Sequence, residues 1–238
     1  MNSEILPRRI LRNFSDEECK CVEKVTIPGD RKILYHGSRS GIVGEPRCDM
    51  SRPTCDFGVG FYTGTSSHQV QGVLRGSKSG VFCTLYCDIS DLSVYEFTNA
   101  NLWALYVGIN RGYINISQIP KFKPIFEDIS SHDVIVGAIA DDKMQDIFPE
   151  FMNGLLTDKV LAECLKSVNL GIQWVFKTAK ACSQIEIVTF NNVTYEQLQI
   201  IRQTQRNLMS DIDMKVSDIK KLYRRTGRFV DEIMEDYK

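Results

Sequence analysis

Ile33-Leu34-Tyr35-His36-Gly37-Ser38-Arg39 and Asp56-Phe57-Gly58-Val59-Gly60-Phe61-Tyr62-Thr63 are the two stretches that decide how this chain is read. The first is a short apolar run that ends in a histidine followed at once by a glycine. The second sets two glycines just ahead of an aromatic pair. One segment offers a ring nitrogen beside unshielded backbone, and the other a flat ring beside backbone with no side chains to hold a ligand off. Together they have the makings of a nucleotide cleft.

Working outward, Lys32 to His36 and Gly60 to Thr63 read as strands, separated by a loop over Ser38 to Cys55 that holds Gly41, Gly44, Pro46 and Pro53. Residues 1–30 are polar and irregular, closing on the turn signal Pro28-Gly29-Asp30. Thr65-Ser66-Ser67 can cap a short helix running to about Leu74. Val81 to Ile89 alternates as a strand, with Ser93 to Phe97 expected as its partner. Leu102, Leu105, Tyr106 and Ile109 recur at helical spacing before Gly112. Val134 to Ala140 reads as a buried strand, and Asp141 and Asp142 suit the positive start of a following helix. Leu156 to Val168 is an amphipathic helix. Ile172 to Lys177 and Glu186 to Phe190 read as strands. From Tyr195 the pattern is helical: Leu198, Ile201 and Leu208 mark one helix, and Val216, Ile219, Leu222 and Tyr223 begin another. This divides the chain into an N-terminal extension over 1–30, a main domain over 31–192 and a helical C-terminal extension over 193–238.

The bulk composition, 43% hydrophobic and 25% charged, suits a globular protein with a sizeable core. A formal net charge of -1 supplies no global drive toward nucleic acid or an anionic membrane. No apolar run approaches bilayer length, and Met1 to Phe14 has no apolar stretch of the secretory kind, so a cytoplasmic protein without a membrane partner is expected. The eight cysteines include no Cys-x-x-Cys and stand beside three histidines, which predicts reduced thiols and no metal site. His132, between Ser131 and Asp133, is no ready triad, because neighbouring strand residues face opposite ways.

The order strand–His-Gly-Ser-Arg, loop, Phe-Gly-x-Gly-Phe-Tyr resembles the ADP-ribosyltransferase superfamily, which includes the poly(ADP-ribose) polymerases and the diphtheria-type toxins. A closer likeness is to a bacterial family of uncharacterised ADP-ribosyltransferase-like domains. It rests on Leu34 to Ser38, Asp56 to Tyr62, Gly137 to Asp142 and the strand Gln173-Trp174-Val175-Phe176-Lys177-Thr178. The resemblance covers roughly residues 30–190. It implies an α+β fold, a split β-sandwich of two packed sheets around an NAD cleft, with flanking helices. NAD would be the substrate, and an acceptor, protein favoured over nucleic acid, would receive a single ADP-ribose.

Breaking the nicotinamide–ribose bond builds oxocarbenium-like positive charge on the sugar, so catalysis comes from orienting the dinucleotide and stabilising that charge. By the resemblance, His36, Tyr62 and Gln173 are the catalytic set. His36 would hydrogen-bond the adenosine-side ribose, the backbone of Gly37 and the hydroxyl of Ser38 would grip the carboxamide, and Tyr62 would stack on the nicotinamide. Arg39 could meet the pyrophosphate. Phe57, Gly58, Gly60 and Phe61 complete the expected NAD-binding segment. The better-known relatives carry glutamate at the third catalytic position, where this chain has Gln173; a second register places Glu186 there. Glutamine can hold a ribose hydroxyl but brings no charge, which implies transfer of one unit and no polymer. Simple NAD hydrolysis and a catalytically silent NAD-binding or protein-interaction module stay open beside transfer. The basic stripe Lys220, Lys221, Arg224, Arg225 and Arg228 reads as a solvated face or as a seat for a small partner or inhibitor protein.

Overall fold

The computed structural model describes residues 30–39, 41–66, 74, 79–140, 144–168 and 171–238. The expectations for the N-terminal segment, the helix after Thr65, and Asp141 and Asp142 fall wholly or mostly outside those residues. Seven strands form one sheet: β1 (Arg31–Ser38), β2 (Phe61–Gly64), β3 (Gly80–Asp88), β4 (Val94–Glu96), β5 (Val134–Ala138), β6 (Ile172–Phe176) and β7 (Ile185–Val193). Their spatial order is β4-β5-β6-β2-β1-β3-β7. The helices are α1 (Ala100–Asn110), α2 (Lys123–Ser130), α3 (Met144–Met152), α4 (Asp158–Val168), α5 (Ala179–Ser183), α6 (Tyr195–Tyr223) and α7 (Val230–Glu235).

The α+β class is as expected, but one sheet takes the place of two packed ones. Its two halves, β4-β5-β6-β2 and β1-β3-β7, meet at a single registered pair, Tyr35 with Gly64. β1 stays paired with β3 along its whole length, from Arg31 with Asp88 to Ser38 with Val81. Past Tyr35 it therefore leaves β2, and the sheet splays there.

Alternation along the strands buries both faces. Val134 and Val136 join Leu34, Phe61, Cys83, Leu85 and Phe176 in one core, which draws on both halves of the sheet. Ile135 and Val175 point the other way, into a larger core around Trp103, Leu105 and Tyr106 of α1. That helix starts at Asn99, whose side chain accepts from the amides of Asn101 and Leu102.

Two expectations are corrected. The segment at 94–96 pairs with β5, in parallel, and not with β3. A reciprocal clasp explains this: the Ser93 amide donates to the Asp133 carboxylate at 3.1 Å and the Asp133 amide to the Ser93 hydroxyl at 2.9 Å. The two helices expected after Tyr195 are one helix of 29 residues. No glycine or proline interrupts it, and buried Leu198, Ile201, Ile212 and Val216 keep one phase across it. A capping box of Thr194 and Gln197 fixes its start. The C-terminal helices are no loose appendage, because Ile212, Val216, Val230 and Ile233 belong to the α1 core. Arg228 and Asp158 exchange hydrogen bonds, each at 2.8 Å, and tie the link after α6 to the start of α4. Among the described residues, no helix is long and apolar enough to cross a membrane.

Candidate functional site

His36 stands where β1 and β2 part. Its Nδ1 lies 2.7 Å from the carbonyl oxygen of Tyr62, so the imidazole spans a gap that ladder hydrogen bonds would otherwise close. A carbonyl can only accept, so Nδ1 carries the proton. Phe61 stacks on the ring, centroids 4.6 Å apart and planes 21° from parallel. Burial pulls the imidazole pKa below its ordinary 6.5, with the hydrogen bond to Tyr62 working in the opposite direction. The neutral ring therefore keeps Nε2 as an acceptor, and among the described residues no hydrogen bond is made to it.

The loop from Cys55 to Gly60 is folded against β6. Gly58 has φ of +71°, a left-handed conformation that favours glycine. A Cβ on Gly60 would stand 2.5 Å from Val175 Cγ1 and 3.1 Å from the Phe176 carbonyl, so this backbone lies directly on the strand. Tyr62 closes the turn: its hydroxyl donates to the Gly58 carbonyl at 2.7 Å and accepts from the Phe57 amide at 3.0 Å. Burial, with Cys55 nearby, pushes the phenol pKa well above its ordinary value. The hydroxyl proton is thus committed, and the ring face is what this half-buried side chain can offer a ligand.

Gln173 is 5% exposed. It pairs with Gly64 of β2 on one side and Gly137 of β5 on the other, so neither cross-strand neighbour has a side chain to fill the space beside it. Asp56 enters that space. Its Oδ2 accepts from Gln173 Nε2 at 2.9 Å and from the Ala140 amide at 2.9 Å, while its Oδ1 accepts from Arg111 Nε at 2.8 Å. Arg111 Nη2 reaches the same Oδ1 at 2.5 Å and donates to the Ala140 carbonyl at 3.0 Å. Asn110, beside it, donates to the Asp56 backbone carbonyl.

The register places Tyr62 and Gln173 on one face of the sheet, since Tyr62 pairs with Val175 and Gly64 with Gln173. The His36 ring leaves from the opposite face, with Phe61. What joins His36 to Tyr62 is the splay itself, through the Tyr62 backbone. Ser38 ends β1 and donates to the Gly41 carbonyl at 3.1 Å; Gly37 is half-buried and Arg39 is exposed. Phe57 departs from expectation. It is wholly buried among Phe97 and Tyr106, so its ring belongs to the core. Glu186, the other register for the third position, is exposed on edge strand β7, with β2, β1 and β3 between it and β6.

Reading the sequence missed Arg111 and Lys177. The Lys177 ammonium donates to the Phe57 carbonyl, and burial brings its pKa down to about 8. Burial also raises the thiols of Cys83, Cys87 and Cys182 to about 12, so these are inert core cysteines. Two concavities, about 450 and 290 Å³, lie along α6. Their linings, which include Glu150, Val216 and Lys220 in one and Leu156, Val160 and Arg224 in the other, do not reach the splay.

The fold and site define an α+β protein whose open sheet is split beside a histidine, a tyrosine and a buried glutamine. The model of a family described as a protein of unknown function (DUF3990) matches residues 32–187, well over half of the chain, and the chain belongs to that family. No curated protein and no solved structure matches it. The matched region spans β1 to the start of β7, including every residue of the site, and stops before α6.

Proposed function

We propose that the splay between β1 and β2 binds NAD, and that the protein cleaves its nicotinamide–ribose bond and transfers one ADP-ribose unit to an acceptor, a protein in preference to nucleic acid. The observation that carries this reading is the His36 bridge to the Tyr62 carbonyl, which supports a neutral imidazole with an acceptor nitrogen at the split. A ribose hydroxyl is a donor that such a nitrogen suits. The Tyr62 ring, its hydroxyl already engaged, offers a stacking face for a flat base, worth about 0.5–1.5 kcal/mol. The Gln173 amide supplies a further polar contact on the Tyr62 face. Nicotinamide leaves as a neutral molecule, so the site's task is to hold the sugar as positive charge grows on it.

The test is nicotinamide release from NAD, followed by chromatography. Release by the parent protein that is lost in His36→Ala and Tyr62→Ala, and kept in Glu186→Gln, is the expected result. Labelled protein in a lysate supplied with labelled NAD would mark transfer, and free ADP-ribose alone would mark hydrolysis. One observation favours a silent NAD-binding module as second reading: Gln173 is uncharged, and the charge of Asp56 is matched by Arg111. Binding without release by the parent would select it.

A further inference from the structure

Asp56 and Gln173, 117 residues apart, meet in a contact whose chemistry runs one way. The Asp56 carboxylate and the Ala138 carbonyl, 2.9 and 3.0 Å from Gln173 Nε2, are both acceptors. Only the amide nitrogen satisfies them, and both of its protons are spent in doing so. Asp56 cannot turn away, because Arg111 holds its Oδ1 and the Ala140 amide its Oδ2. Trp103 Nε1 donates to the same Ala138 carbonyl at 3.0 Å and steadies that partner as well. The amide oxygen of Gln173 is left with both lone pairs, and among the described residues no hydrogen bond is made to it, although the residue is only 5% exposed. A buried acceptor without a partner is costly unless something supplies a donor.

Resting on the NAD reading above, we propose that Asp56, clamped by Arg111, is the positioning residue that turns the Gln173 amide so that its oxygen meets the ligand. Position 173 is then a receiver for a donor, a sugar hydroxyl in NAD, and rejects phosphate and carbonyl oxygens. The same geometry accounts for glutamine at this place. A carboxylate here would face the Asp56 carboxylate and the Ala138 carbonyl with no proton to give.

Gln173→Glu tests this. The introduced carboxyl must hold a proton to keep the contact with Asp56, since two carboxylates at hydrogen-bond distance do not both ionise. Among the described residues, the charged groups placed here are Asp56 and Arg111, with the Lys177 ammonium on the neighbouring Phe57 carbonyl, common to parent and variants. The Tyr62 phenol lies on the same sheet face. From pH 5 to 8.5, the melting temperature of Gln173→Glu is expected to fall relative to the parent. Its affinity for NAD, by equilibrium dialysis, is kept while the folded protein holds that proton and falls by up to about tenfold per pH unit once the folded carboxyl ionises. Adding Asp56→Asn removes the second carboxylate and flattens both profiles, an effect that lost packing alone would not produce; if Gln173→Glu does not fold at any pH, the double variant must restore folding. A Gln173→Glu protein that melts and binds NAD like the parent at every pH overturns the positioning role. A pH-dependent melting difference in a parent that binds no NAD overturns the ligand role instead, and shows that the NAD reading is what failed.

Discussion

The joint at His36 and the knot around Asp56 are both made of polar groups taken out of water, and they are finished to different degrees. At the joint, one imidazole nitrogen is spent on the Tyr62 carbonyl and the other is left over, on a half-buried ring. In the knot, Asp56 takes donors on both oxygens, and the amide oxygen of Gln173 is what is left unspent. A buried polar network tolerates few loose ends, and these two acceptors are where the proposed NAD would be met. The knot is the more fully hydrogen-bonded part and the joint the less.

The largest expected effect falls on the knot. Arg111→Met removes the guanidinium that stands over the Phe148 ring and leaves Asp56 buried without its cation. Removing one partner of such a pair costs about 3–5 kcal/mol, read by chemical denaturation. A loss below about 1 kcal/mol would mean that the Asp56–Arg111 pair does not hold the knot together. At the joint the effect is smaller and pH-dependent. The folded-state pKa of His36 lies below its ordinary 6.5, so the unfolded chain binds the proton more readily. Its share of stability is therefore complete above about pH 6.5 and declines as the pH falls from there through the lowered folded value. In melting curves the parent should lose ground to His36→Gln below pH 6.5; a parent that gains on the variant as the pH falls would contradict a buried neutral imidazole.

Local pattern made much of the fold legible. β1 and β5 announce themselves by apolar runs, β3 by alternation, α1 and α4 by helical spacing, and His36, Tyr62 and Gln173 by their place in short motifs. What escaped depends on residues far apart in the chain. Arg111 reads as the end of a helix until the fold brings it to Asp56, 55 residues earlier. β4 looks like a hairpin partner for β3 until Asp133 clasps Ser93 and pairs it with β5 instead. Phe57 is placed in the NAD-binding segment by the resemblance, yet the large core beneath Gly137 takes its ring. The gap between Leu208 and Val216 suggested two helices, although nothing in it breaks one.

The most direct measurement is equilibrium dialysis of labelled NAD against the folded parent protein and His36→Ala. Saturable binding by the parent, weakened about five- to tenfold in the variant as for the loss of one hydrogen bond of about 1 kcal/mol, is what the account predicts. No saturable binding by the folded parent, or equal binding by both proteins, would contradict an NAD cleft at the joint.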